Sequence, residues 1–240
     1  MYYVMSDIHG CYKEYRKVLE MIHFSEEDTL YVLGDVVDRG PEPIKVLQDM
    51  MLRPNVFPII GNHEYMALLV LRKFSVEITE ANTENYLSAD DITSYMNWSL
   101  NGGQTTMEQF RRLSPDEQQD IMEYLEEFTL YEEVQAGGRN YVLVHGGFEP
   151  FVPGKPLDDY DLSEVIFKSP DYNKVYFDDC CLVTGHRPTL WLEGAQWGRI
   201  FEKNNHIAVD CGCVFGGRLG VYCLDNGKTW YVEGENECSG

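Results

Sequence analysis

Basic residues are scarce in this chain. Its 240 residues include 19 Lys and Arg against 40 Asp and Glu, a formal net charge of −21. So acidic a surface is repelled by phosphate backbones and by anionic headgroups, which argues against nucleic acid and membrane as partners. An uninterrupted run of about eighteen apolar residues, the minimum for a spanning helix, is also missing. The opening Met1-Tyr2-Tyr3-Val4-Met5-Ser6-Asp7 has no charged segment followed by an apolar core. No secretion signal is read there, and a cytoplasmic location is expected. The seven cysteines form no CxxC pair: Cys180 and Cys181 are adjacent, and Cys211 and Cys213 are two apart. They read as reduced core thiols. Neither a GxSxG elbow nor an HxE followed by PCxxC occurs, which removes serine-hydrolase and zinc-deaminase chemistry.

What the chain does have is a set of loaded turns. Apolar residues make up 44% of it, enough for one sizeable core, and a single α/β domain over 1–240 is the simplest reading. Thr29 to Leu33 reads as a buried strand, and Gly34-Asp35-Val36-Val37-Asp38-Arg39-Gly40 follows it. Two carboxylates and a guanidinium therefore occupy a Gly-bounded turn at a strand's carboxyl end, the place where open α/β sheets bind ligands. The same unit, strand then loaded turn then helix, occurs at Tyr2 to Met5 with Asp7 and His9, and at 56–60 with Asn62, His63 and Glu64. Later apolar runs at 141–144 and 181–184 end in His145 and His186, and closing strands are expected at 207–210, 218–224 and 229–232. Residues 74–128 turn polar and helical. Ser114-Pro115-Asp116-Glu117 is a strong helix start, and the stretch reads as a helical insertion beside the sheet.

Four of the six histidines thus follow predicted strands next to Gly or Asn. Each alone is an ordinary surface or core histidine; together with Asp7 and Asp35 they point to a shared site. Mixed carboxylate and imidazole donors suit Mn, Fe or Zn better than Mg or Ca. A carboxylate on such a turn can bridge two cations, and Arg39 offers a fork of donors that fits phosphate oxygens.

The pattern resembles the phosphoprotein phosphatase (serine/threonine) family of calcineurin-like metallophosphoesterases, bacterial type. It carries that family's blocks as Ser6-Asp7-Ile8-His9-Gly10, Gly34 to Gly40, Gly61-Asn62-His63-Glu64, His145-Gly146-Gly147 and Gly185-His186. Ser6 stands where the family has Gly, a change expected to bear only on the turn. The resemblance implies an α/β fold of metallophosphoesterase type, a four-layer αββα sandwich of two mixed sheets flanked by helices, with the 74–128 insertion. It implies two divalent ions, manganese first and iron or zinc next, on Asp7, His9 and Asp35, with Asp35 bridging to Asn62, His145 and His186. His63 would protonate the leaving group with Asp38 behind it, while Arg39 and Asn62 hold the phosphate. The family's second phosphate-binding Arg has no clear counterpart, and Lys168 and Arg187 are the candidates. Glu64 is expected to orient its loop, and Trp98 to pack in the core.

The expected activity is that of a metal-dependent phosphomonoesterase acting on phosphoproteins or phosphopeptides. The alternative is a symmetrical diadenosine tetraphosphatase, or another enzyme of small phosphorylated molecules, on the same site. The tetraphosphatases compared tend to lack the second Asp of the central block and to carry GNHD, so Asp38 and Glu64 favour the phosphatase. A phosphoprotein-binding module without catalysis ranks below both, because every block is intact.

Overall fold

The computed structural model describes residues 1–74 and 88–235. Three parallel strands, β1 (Tyr2–Met5), β2 (Thr29–Leu33) and β3 (Val56–Ile59), are each followed by a helix: α1 (Tyr12–Met21), α2 (Pro43–Met51) and α3 (Asn62–Phe74). These are the three units expected from the sequence. The α1 face marked by Cys11, Tyr15, Val18, Leu19 and Ile22 is buried throughout.

Three further helices, α4 (Ala89–Leu100), α5 (Gln104–Phe110) and α6 (Pro115–Glu126), form the expected insertion; its residues 75–87 lie outside the described ones. α6 begins where its capping box places it. The Ser114 hydroxyl accepts from Glu117 N, and the Glu117 carboxylate accepts from Ser114 N, an arrangement worth about 1 kcal/mol. An equivalent Ser88–Asp91 box starts α4. α4 packs on α3, α5 on α2, and α6 on both.

The second half of the chain contains β4 (Tyr131–Ala136), β5 (Arg139–Val144), α7 (Leu162–Ile166), β6 (Cys180–Thr184), β7 (Phe201–Lys203), β8 (His206–Ala208), β9 (Arg218–Cys223) and β10 (Thr229–Glu233). Two five-stranded mixed sheets result, ordered β10-β9-β1-β2-β3 and β4-β5-β6-β8-β7. Within them β1, β2 and β3 run parallel, as do β5, β6 and β8, and antiparallel strands lie outside each trio. The sheets face each other across an apolar layer that includes Val4, Leu33, Ile59, Leu143, Val183 and Ile207. Helices α1–α3, α5 and α6 cover the outer face of the first sheet, and α7 with the loops around it covers the second. This is the four-layer αββα arrangement, with seven α-helices among the described residues.

Two strands had no signal in the sequence. β4 and β7 are the edge strands of the second sheet, paired on one side only and largely solvated on the other. Glu132, Glu133, Glu202 and Lys203 break the apolar pattern there, as is usual at sheet edges. Pro58 is tolerated because β3 is an edge strand.

Candidate metal centre

All six parallel strands end on the same side of the sandwich, and their carboxyl ends supply the site. Asp7 and His9 follow β1, Asp35 follows β2, Asn62 and His63 open α3 after β3, His145 follows β5, and His186 follows β6. The turns that carry them are tight. Asp7, His9, Asp35, Asp38, Arg39 and His186 all have φ between 43° and 72°, the left-handed region that non-glycine residues avoid. Each such residue costs on the order of 1 kcal/mol, so the surroundings must enforce the conformation. Gly34 shows how closely the turns meet: at its φ of 72°, a Cβ would lie 2.5 Å from Gly61 N and 2.8 Å from His145 Nδ1.

Glu64 enforces the central turn. Its buried carboxylate accepts from the backbone N–H of Asp35 (2.8 Å), Val36 (2.7 Å), Val37 (3.1 Å) and Gly61 (2.9 Å). Two strand ends are thereby tied to one side chain, the orienting role expected of it. Burial, and then the nearby Asp35, push its pKa up to about 7.

The donor atoms converge. His9 Nδ1 donates to Val37 O (2.8 Å) and His145 Nδ1 donates to Leu33 O (2.6 Å), which leaves a lone pair on each Nε2. His9 Nε2 lies 3.6 Å from Asp35 Oδ2 and 4.0 Å from Asp7 Oδ1. His145 Nε2 lies 3.4 Å from Asp35 Oδ1, 3.1 Å from Asn62 Oδ1 and 3.2 Å from His186 Nδ1; His186 Nδ1 is 2.9 Å from Asn62 Oδ1. Lone pairs therefore face lone pairs on both sides of Asp35, an arrangement that cations between them relieve. Donors from His9, Asp35 and His63 form one group within 4.8 Å of one another, and donors from Asp35, His145 and His186 form a second. Asp35 belongs to both, as a bridging ligand must. The set fits two divalent ions.

Electrostatics differ between neighbours. Burial alone would raise the Asp35 pKa, but His145, His63, His9 and His186 around it outweigh burial and hold it below the usual carboxylate range. Asp7 is pushed up to about 6 by burial and by Asp35. Burial lowers His9, and it brings His186 down to about 4 with the help of His145. For His63 burial is outweighed by Asp35 and Asp38, and its pKa rises. His63 Nδ1 donates to Asp38 Oδ2 at 2.6 Å, while its buried Nε2 has no hydrogen-bond partner among the described residues.

Arg39 is half-buried at the rim, with its guanidinium against His9 Nε2 and 5.2 Å above the Phe215 ring. Of the candidates for a second cation, Arg187 is exposed on the turn after His186 and lines a cleft of about 520 Å³ with Tyr172, Asn173, Phe201 and Lys203. Lys168 is exposed on the loop beyond α7 and is not drawn into the buried cluster.

Several contributors lay outside the sequence reading. The Ser6 hydroxyl donates to Asp7 Oδ2, which also accepts from His186 N at 2.9 Å, so Ser6 does more than shape its turn. Asp210, just after β8, is buried beside the site, accepts from Gly212 N at 2.9 Å, and is raised well above the usual carboxylate range by burial and Asp7. A carboxylate shortly after an apolar strand, next to Gly212, was the signal for it. The Trp98 indole is buried as expected, but its N–H reaches Asp38. The six described cysteines are all free thiols; Cys238 lies outside the described residues. No described helix is long and apolar enough to cross a membrane.

Comparison with known proteins agrees with this geometry. The symmetrical bis(5'-nucleosyl)-tetraphosphatase of Nitrosospira multiformis is 25% identical over 194 residues, 80% of this chain and 58% of that protein. With the corresponding enzyme of Wigglesworthia glossinidia brevipalpis identity is 35% over 99 residues, so the chain spans 36% to 58% of the length of these relatives. Among solved structures, a candidate diadenosine tetraphosphatase superposes with a TM-score of 0.68 at 19% identity, over 98% of this chain and 94% of that one. At such identity the likeness speaks for the fold alone. The sequence profile of calcineurin-like phosphoesterases matches residues 2–217. With that match over most of its length and the strand-end donor set in place, the chain belongs to the calcineurin-like phosphoesterase family, whose members are metal-dependent hydrolases.

Proposed function

We propose that this protein hydrolyses the phosphoanhydride bridge of dinucleoside polyphosphates, with diadenosine tetraphosphate as the reference substrate. The observation that carries this reading is the similarity over 80% of the chain to a relative named as a symmetrical tetraphosphatase. Asp38 and Glu64 do not weigh against it. Among the described residues Glu64 bonds only to backbone N–H groups, and Asp38 acts on His63, so neither residue reports on the substrate.

Two divalent ions, Mn, Fe or Zn by the donor chemistry, would be held by Asp7, His9 and Asp35 and by Asp35, Asn62, His145 and His186. Bound there, they acidify water and neutralise charge on the phosphoryl oxygens. The protein's own groups do the rest. Asn62 turns Oδ1 toward His145 and His186, which leaves its amide N–H groups for a phosphate oxygen. Arg39 receives phosphoryl oxygens with its planar fork of donors. As hydroxide oxygen, its water proton already released to solvent, bonds to phosphorus and the P–O bridge breaks, the leaving phosphate oxygen takes a proton from His63 Nε2. Asp38 holds the ring and stabilises its positive charge.

Arg187 is the second phosphate contact in this reading, because its guanidinium has no ion-pair or hydrogen-bond partner among the described residues and borders a polar cleft beside His186. Loss of one exposed charge-assisted contact is worth about 1 kcal/mol. Arg187→Gln should therefore raise KM for the dinucleotide about three- to tenfold with little change in kcat. An unchanged KM removes Arg187 from the site.

Hydrolysis of phosphoserine or phosphothreonine is the second reading. The buried His63–Asp38 pair favours it, since an alkoxide is the leaving group most in need of a proton. The test is turnover by manganese-loaded protein on diadenosine tetraphosphate and on a phosphothreonine peptide, with EDTA-treated protein as control. Faster cleavage of the dinucleotide, lost with EDTA, supports the proposal. Preference for the peptide replaces it with the second reading.

A further inference from the structure

Trp98 and Thr106 lie 60 and 68 residues from Asp38 in the chain, yet both bond to its carboxylate. The Trp98 indole N–H donates to Asp38 Oδ2 at 2.7 Å, the oxygen that also accepts from His63. Thr106 Oγ1 donates to Asp38 Oδ1 at 2.7 Å and accepts from Asp38 N at 2.9 Å, which uses the hydroxyl as donor and acceptor together. Asp38, His63 and Trp98 have no exposed surface, and Thr106 has almost none. Next along the chain, Arg39 N donates to Gly102 O at 3.0 Å. The Trp98 ring itself is fixed by Gly103, where a Cβ would come within 2.5–2.6 Å of the indole.

The corner between α4 and α5 is thus clipped onto the two residues that back the leaving-group proton and the phosphate contact. Both have positive φ, 72° at Asp38 and 65° at Arg39, a backbone that needs such restraint. Elsewhere α4 packs on α3 and α5 on α2, and Gln109 Nε2 of α5 donates to Pro41 O at 2.6 Å. The bonds from Trp98 and Thr106 leave the Asp38 carboxylate one orientation, in which Oδ2 is aimed at His63 Nδ1.

We infer that Trp98 and Thr106 are positioning residues for proton donation to the leaving group, supplied by the helical insertion through Asp38. The inference rests on the reading of His63 as general acid. Fixing the carboxylate fixes the imidazole plane and keeps Nε2 facing the reacting oxygen. Their loss should then tell on substrates in proportion to how badly the leaving oxygen needs a proton. A role in packing alone has no such dependence.

The test uses manganese-loaded full-length protein and two aryl phosphates, 4-nitrophenyl phosphate with an activated leaving group and phenyl phosphate with a poor one. Thr106→Val and Trp98→Phe should each lower kcat on phenyl phosphate on the order of tenfold, a part of the roughly 10²–10⁴-fold that a general acid contributes. On 4-nitrophenyl phosphate kcat should stay within about twofold, with metal content unchanged. Thr106→Ser, which keeps the hydroxyl, should restore the rate and keeps the inference testable where Trp98→Phe does not fold. Equal loss on both substrates, or failure of Thr106→Ser to restore the rate, overturns the inference. His63→Asn measured alongside separates the two levels. If it shows no leaving-group dependence the acid assignment itself fails; if it does and the Thr106 and Trp98 variants do not, only the positioning role fails.

Discussion

Asp35→Ala should leave a folded protein that holds at most one of two manganese ions and has no measurable hydrolysis. Asp35 is the one carboxylate common to both donor groups, with Oδ2 toward His9 and Oδ1 toward His145. Removing it takes a ligand from each ion and the negative charge that the four surrounding imidazoles share. The ions supply several kcal/mol of charge stabilisation in phosphoryl transfer, so the loss in kcat should be at least about 10³-fold. Asp35 also accepts from His63 N at 3.1 Å, and Asp35→Asn, which keeps an oxygen there, controls for that contact. Metal analysis of gel-filtered protein beside circular dichroism checks the result. Two equivalents of manganese with native turnover in Asp35→Ala would show that the bridge lies elsewhere.

His63→Asn should behave differently, keeping both ions and losing rate. Its Nδ1 is committed to Asp38, and its Nε2 has no hydrogen-bond partner among the described residues although the ring is fully buried. Nε2 sits 3.9 Å from Asp35 Oδ2 and falls within one of the donor groups, so simple proximity would admit it as a ligand. The Asp38 carboxylate suits an acid, because it stabilises an imidazolium, but a carboxylate also stands behind metal-ligating histidines, so metal content separates the two roles. The expected fall in kcat is about 10²–10⁴-fold on an alkyl phosphate. It should be smaller on a phosphoanhydride, whose leaving phosphate departs with less need of a proton. Lost metal in His63→Asn would make this residue a ligand and leave the leaving group without a donor.

The parts of this molecule that sequence made legible share one physical cause. Asp7, Asp35, Asn62, His145 and His186 each follow a short buried strand of a parallel trio, where apolar runs are continuous and turns are marked by Gly or Asn. The capping box at Ser114 places α6 for a similarly local reason. What escaped was made by tertiary contact. The bonds from Trp98 and Thr106 to Asp38 bridge sixty or more residues, and nothing in the local pattern distinguishes an indole that packs from one that also donates. The substrate is the other point that the local pattern does not carry. In the sequence Asp38 and Glu64 favour a protein phosphatase, yet in the structure one carboxylate binds four backbone N–H groups and the other serves His63.

On the proposed function, two divalent ions share the Asp35 carboxylate at the ends of the parallel strands. Diffraction from crystals of manganese-loaded protein, recorded on both sides of the manganese absorption edge, tests it most directly. Two anomalous peaks are expected, one against Asp7 and His9 and one against Asn62, His145 and His186, with Asp35 between them. A single peak, or peaks that do not have Asp35 in common, would contradict it.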